Sequence, residues 1–378
     1  MSLGLYVHIP FCSAICNYCN FNRGLFGSAL KERYVAALLT QIEREGDGDD
    51  ADTIYFGGGT PSLLEPVEVR LIIEACRRSF AVWPDAEITL EANPETVTAE
   101  RIAGFRAAGI NRLSFGVQSF REVELKRLSR LHSVEKAVDA LRLARQEGFS
   151  NISLDLMMWL PQQSVADWLE SVEALIALGP DHASMYLLEI YPNAPLRDAM
   201  ARGQWSVAPD DDAAEMYLSG LDRMDKAGYA QYEISNLALP GRESRHNLKY
   251  WTDGEWLGFG CGAHSTRAGV RWKNPSATEE YISTVVAGGQ LAVDRRPLTD
   301  AERLEEALFM GLRLTAGLDL PALKIRYGVD VWDEYGSELQ SYVDAGVLVY
   351  DGRSLRMSRP GMLLAHEVMT VFIRSTVR

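Results

Sequence analysis

Short β-rich runs alternate with longer segments of helical period through the first half of the chain, the runs falling at residues 3–7, 53–56, 87–91, 112–115, 152–156 and 183–188. Few folds accommodate that pattern. Successive strands joined by helical crossovers lie parallel, and a parallel sheet needs helices over its faces. The six units therefore predict an α/β architecture, a partial (β/α)6 TIM-like barrel with an outer layer of helices. Ser28 is expected to cap a first helix over residues 28–44, and Thr98-Ala99-Glu100-Arg101 has the form of another capped start. In such barrels chemistry gathers at the carboxyl ends of the strands. The loop Cys12 to Cys19, the run Gly57-Gly58-Gly59-Thr60-Pro61, Glu91-Ala92-Asn93-Pro94, Gly116-Val117-Gln118 and Asp155 all fall there. One pocket is expected to collect them.

The run His8-Ile9-Pro10-Phe11-Cys12-Ser13-Ala14-Ile15-Cys16-Asn17-Tyr18-Cys19 places three thiols in one short loop after the first strand. Gaps of three and two residues let three sulfurs meet one face of a compact iron–sulfur cluster. A zinc site usually takes four protein ligands, and a disulfide framework pairs an even number of cysteines in a small secreted chain. A [4Fe–4S] cubane held by Cys12, Cys16 and Cys19 keeps one iron open, free to take the amino and carboxylate groups of S-adenosylmethionine (SAM). In this spacing the loop resembles the Cys-x3-Cys-x2-Cys loop of the radical SAM superfamily. Of the five cysteines, Cys76 and Cys261 read as buried small apolar residues.

A chain of 378 residues, 47% hydrophobic, can bury a large core, with one big domain and a smaller one expected. The net charge of −14 opposes nucleic acid as a partner, and no basic-aromatic cluster offsets it. Acidic stretches at 43–52 and 210–215 read as loops and helix starts. No signal-like segment or run of membrane-spanning length is found, so a cytoplasmic location is expected, without an integral membrane segment.

Residues 1–195 are expected to form the barrel core and 196–298 an extension of it. Residues 299–378 read as a small α+β domain, in which helices precede a hairpin about Asp351-Gly352, a winged-helix-like order. Fold analogy alone does not make it DNA-binding.

The glycine run lacks the Lys-Ser/Thr ending of a phosphate loop, and three residues without Cβ atoms let backbone approach a ligand closely. Glu91, Gln118, Arg130 and Asp155 are polar groups at or near strand ends, suited to a ligand bearing an amino group, a carboxylate and a ribose. Farther on, Arg245-His246-Asn247-Leu248-Lys249-Tyr250-Trp251 and a glycine-rich segment holding His264 combine imidazole with aromatic rings. Haem binding is one reading, since imidazole ligates haem iron and flat rings pack on a porphyrin. A hydrogen-bonded histidine in an aromatic core is the commoner one.

Tyr6-Val7-His8-Ile9-Pro10-Phe11-Cys12, Gly57-Gly58-Gly59-Thr60-Pro61-Ser62, Glu91-Ala92-Asn93-Pro94-Glu95, Ser114-Phe115-Gly116-Val117-Gln118-Ser119-Phe120 and His246-Asn247-Leu248-Lys249-Tyr250-Trp251 closely resemble the radical SAM haem chaperone (HemW) family. The resemblance spans nearly the whole chain and implies a [4Fe–4S] cluster, SAM and haem as cofactors. It assigns Tyr6, Tyr18, Gly58, Gly59, Thr60, Glu91, Gln118, Arg130 and Asp155 to SAM, and His246, Asn247, Tyr250 and Trp251 to haem. It implies an electron donor for the cluster and haem-accepting respiratory membrane proteins as partners, with the protein cytoplasmic or peripheral at the membrane. No catalytic residue follows from it. In the related coproporphyrinogen III dehydrogenases a further Cys stands where this chain has Phe21, which turns expectation away from porphyrinogen decarboxylation. That enzyme, or a radical C-methyltransferase with a second SAM site, is the alternative. Trp159 stands where the family pattern usually has Gly, and its indole would either narrow the pocket or fill a crevice outside it.

Overall fold

The computed structural model describes residues 2–192 and 194–373. Its first six long strands follow the alternation: β1 (Leu3–Ile9), β2 (Asp50–Gly58), β3 (Ala81–Ala92), β4 (Arg112–Gln118), β5 (Ile152–Met158) and β6 (His182–Leu187). Every residue of β1 except Tyr6 is buried, as befits a strand covered on both faces. The crossovers are helical: α1 (Ser28–Glu45), α2 (Pro66–Ser79), α3 (Ala99–Ala108), α4 (Val134–Gln146) and α5 (Val165–Leu178).

Local chemistry fixes the helix starts. Thr98 caps α3 by accepting from the Arg101 amide, Ser133 caps α4, and Ser164 and Asp167 form a reciprocal capping box on α5. α3 and α5 end on Gly109 and Gly179 in the left-handed conformation. Ser28 departs from expectation. It is the first helical residue of α1, and the cap position falls on Gly27, with no side-chain hydrogen bond.

The second half of the chain completes this sheet at both edges. Strand β8 (Asn236–Ala238) adds antiparallel to β6 and β7 (Ala230–Gln231) antiparallel to β8, while β9 (Trp256–Phe259) lies parallel to β1, with Gly4 opposite Trp256 and Val7 opposite Phe259. Beyond β9 come β10 (His264–Arg267), β11 (Val270–Lys273) and β12 (Val293–Pro297), all antiparallel. The order is β12-β11-β10-β9-β1-β2-β3-β4-β5-β6-β8-β7, an open sheet with seven central parallel strands. Residues 196–298 are thus woven into the barrel sheet. Helix α6 (Asp210–Lys226) carries Asp210, Asp211 and Asp212 in its first turn, where carboxylates offset the helix dipole.

The C-terminal region comprises helices Asp300–Gly311, Leu320–Tyr327 and Val331–Asp344, then strands Leu348–Tyr350 and Ser354–Met357 paired about Asp351-Gly352. Asp351 accepts from the amides of Arg353 (2.9 Å) and Ser354 (2.6 Å), closing the hairpin. A short third strand, Leu318–Asp319, joins it. The last five residues of the expected 299–378 unit lie outside the described residues. One hydrophobic core runs from Leu5 and Phe56 in the barrel to Leu339 and Phe372 in this region. Among the described residues no helix is long and apolar enough to cross a membrane.

Candidate functional site

A cavity of about 380 Å³ opens at the carboxyl ends of the parallel strands. Cys12, Cys16, Cys19, Tyr18, Gly58, Gly59, Thr60, Glu91, Gln118, Arg130 and Asp155 all line it. Tyr6 does not. It lies beneath, against His8, Tyr55 and His246. Phe21, 66% exposed, stands at the mouth with Leu187 and Tyr191.

The cysteine loop is held from several sides. A short parallel pair, Phe11–Cys12 with Gly24–Leu25, closes its base, and the Asn17 amide donates to the Arg127 carbonyl at 2.8 Å. The Thr60 hydroxyl approaches Cys12 Sγ at 3.6 Å, and the Arg130 guanidinium approaches Cys16 Sγ at 3.5 Å. Burial raises the thiol pKa of Cys12 and Cys19, while the Arg23 cation works in the opposite direction. A Cβ at Gly59 would stand 2.7 Å from the Phe11 carbonyl and 3.0 Å from Cys12 Sγ, so the glycine lets the second loop close on the first. Among the described residues no three His, Cys, Asp or Glu side chains form a group for a single metal ion. Three thiols on one cavity wall fit instead the larger iron–sulfur cluster. Cys76 and Cys261 are fully buried away from this wall.

The polar groups opposite are oriented by their neighbours. Glu91 Oε1 accepts from the Tyr55 hydroxyl at 2.7 Å, and Oε2 accepts from the Gly58 amide at 3.2 Å. Gly58 has φ 115°, in the region open to glycine, and its Cβ would lie 2.6 Å from the His8 ring. Burial pushes the Glu91 carboxyl up to about 7, opposed by the Tyr55 hydrogen bond. Burial likewise raises Asp155 to about 6, against hydrogen bonds from Ser184 and Ser114. Gln118 holds φ 72°, a strained conformation for a residue with a Cβ, at the end of β4. Arg130 donates to the Gly116 carbonyl (2.6 Å) and Asn93 Oδ1 (2.8 Å), tying the ends of β3 and β4 together. The wall thus offers two carboxylates, an amide, backbone donors and a guanidinium, a set that can meet an amino acid and a ribose at once.

Trp159 also adopts φ 63°, which accounts for glycine as the usual residue there. Its indole points away from the cavity and donates to the Ala208 carbonyl at 2.8 Å.

His246 lies at the other end of the strands. Helix α7 (Arg245–Trp251), capped by Ser244, enters the barrel from the amino-terminal side, and the Glu87 carboxylate of β3 accepts from the amides of Arg245 (3.2 Å) and His246 (3.1 Å). The expected barrel extension thus sets this motif against the amino-terminal ends of β1, β2 and β3. His246 is 1% exposed, with Nδ1 2.8 Å from Thr53 Oγ1 and Nε2 2.9 Å from the Tyr250 hydroxyl. Burial, helped by the Lys249 cation, lowers its pKa to about 3, so the ring is neutral with both nitrogens engaged. Trp251 faces the Arg313 guanidinium 4.4 Å from its ring centroid, and the Asn247 amide donates to the Ser244 cap. His264 stands exposed on β10, separate from this motif.

Tyr55 escaped the sequence analysis. Its available signal was alternation, which puts Thr53, Tyr55 and Gly57 on the same face of β2, the face that looks into the barrel.

Comparison with known proteins accords with this geometry. The sequence matches the profile of the Radical SAM superfamily over residues 6–204 and that of the HemN C-terminal domain over residues 298–364. It is 35% identical over 373 residues to the heme chaperone HemW of Bacillus subtilis, covering 97% of this chain and 98% of that one. The heme chaperone HemW of Escherichia coli is 42% identical over 267 residues, 69% of each chain. In fold the chain is similar to the solved structure of coproporphyrinogen III oxidase (HemN) from Escherichia coli, a radical SAM enzyme, with TM-score 0.87 and 22% identity over 99% of this chain and 90% of that one. The chain belongs to the radical SAM superfamily and, within it, to the HemW haem chaperone family.

Proposed function

We propose that this protein is a haem chaperone that carries a [4Fe–4S] cluster on Cys12, Cys16 and Cys19, binds SAM in the adjoining cavity, and passes haem to haem-requiring respiratory membrane proteins. The observation that carries the cofactor part is the cavity itself, where three thiols face a glycine run and the carboxylates of Glu91 and Asp155. When bound, the cluster would supply an electron for reductive cleavage of SAM. Gly58, Gly59 and Thr60 would receive the amino end of SAM, Tyr18 would flank it, and Glu91, Gln118, Arg130 and Asp155 would meet its remaining polar groups. Tyr6 would act from the layer below.

The haem part is supported by the family relation, with His246, Asn247, Tyr250 and Trp251 as the segment proposed to contribute. Iron ligation by His246 would require Thr53 or Tyr250 to release a ring nitrogen, since both are engaged. Phe21 at the cavity mouth supports the chaperone over the porphyrinogen enzyme, because a phenyl ring supplies no thiol there. The proposed setting is the cytoplasm or the periphery of the membrane, with an electron donor for the cluster and haem-accepting membrane proteins as partners.

The test is haem titration of the anaerobically reconstituted protein, followed by incubation with coproporphyrinogen III, SAM and a reductant. Stoichiometric haem binding with no porphyrin product is expected. Protoporphyrinogen formation would replace the chaperone by the enzyme.

A further inference from the structure

The amino-terminal end of the barrel is plugged by rings stacked in register with the SAM cavity above. His246 lies on Tyr55 with centroids 5.0 Å apart and planes at 23°, while Tyr6 lies 6.2 Å from Tyr55 and 6.3 Å from His246. Two glycines make room for this packing. A Cβ at Gly4 would meet Lys249 Cδ at 2.8 Å and His246 Cε1 at 3.0 Å, and one at Gly57 would meet the rings of Tyr6 (2.9 Å) and Tyr55 (3.0 Å). Thr53 and Glu87 anchor α7 from below. From the upper edge of the stack, the Tyr55 hydroxyl reaches Glu91.

We propose that Tyr55 is a positioning residue for the SAM site, aiming the Glu91 carboxylate into the cavity, and that His246 holds the Tyr55 ring in place for that task. The inference rests on the reading of the cavity as a SAM site. With Oε1 fixed by Tyr55 and Oε2 by the Gly58 amide, the carboxylate has one settled direction, and its remaining lone pairs are presented to the ligand. Without the hydroxyl, one anchor remains and the carboxylate can turn. The histidine motif thereby reaches SAM chemistry from the far end of the strands through one layer of aromatic rings.

Glu91 is faced by Tyr6 on β1, Tyr55 on β2, Arg112 on β4, Asp155 on β5, Tyr186 on β6 and Tyr250 on α7. Among them Tyr55 and Arg112 favour the charged carboxylate, and Asp155 opposes it. Removing the Tyr55 donor therefore moves ionisation of Glu91 to higher pH. If the carboxylate form accepts from SAM, the pH at which affinity rises moves with it.

The experiment is calorimetric SAM titration of the anaerobically reconstituted protein from about pH 6 to about pH 9, on the parent, Tyr55→Phe, His246→Ala and His246→Gln. Tyr55→Phe, which keeps the ring, should bind SAM about tenfold more weakly with its pH midpoint raised, while iron content and cluster absorbance stay parental. His246→Ala should move the midpoint in the same direction, with His246→Gln recovering part of the loss by keeping a polar atom near Thr53. Parental affinity and midpoint in Tyr55→Phe would overturn the inference alone. A parent that binds no SAM at any pH would overturn the reading of the cavity and this inference with it.

Discussion

At the scale of single residues, the site depends on where Cβ atoms are missing and where thiols converge. Gly58 and Gly59 are adjacent but guard different things. A side chain at Gly58 would strike His8 and strain a backbone at φ 115°, whereas one at Gly59 would strike the cysteine loop. Gly58→Val is therefore expected to abolish measurable SAM binding by calorimetry while keeping cluster absorbance, and Gly59→Val to lose both. An intact cluster in Gly59→Val would show that the two loops need no close approach. Single Ser replacements of Cys12, Cys16 or Cys19 should each remove the iron absorbance on anaerobic reconstitution, and Cys76→Ser or Cys261→Ser should not. Iron lost in Cys261→Ser and kept in Cys12→Ser would reverse the ligand assignment. Nine of the eleven residues lining the cavity wall named above lie within motifs that spacing made visible. Arg130 and Asp155 stand outside such motifs, and Tyr55 looks like any strand aromatic until Glu91 is placed beside it.

At the scale of elements, the alternation of strand and helix located all six strands β1 to β6 because each crossover is local in sequence, though β3 begins six residues before its expected start. The seventh parallel strand, β9, stands outside that alternation. It pairs with β1 across some 250 residues of chain, and no local pattern announces a partner so distant. The same limit hid the place of α7, whose anchors Thr53 and Glu87 belong to strands far upstream. Trp159 is an opposite case, a local anomaly whose resolution needed the fold. Its indole is engaged with Ala208 outside the cavity, so Trp159→Gly should leave SAM affinity within about twofold of the parent, by calorimetry, with only global stability altered. A tighter or weaker SAM site in that variant would mean that the indole reaches the pocket after all.

At the scale of the whole molecule, the parallel sheet gives the cofactors one open end and gives the histidine motif the other. The C-terminal helices and hairpin share the barrel's core, so the protein is expected to unfold with this region rather than shed it. Thermal melting followed by tryptophan fluorescence and by far-ultraviolet circular dichroism should give coincident transitions, and two separated transitions would mark an independent C-terminal unit. SAM is proposed to meet a cluster held by three cysteines in the cavity at the carboxyl ends of the strands. The most direct measurement is the electron paramagnetic resonance spectrum of the reconstituted, reduced protein before and after SAM is added. A changed cluster signal, sensitive to Gly58→Val, is the predicted result. A spectrum unaltered by saturating SAM would contradict the account.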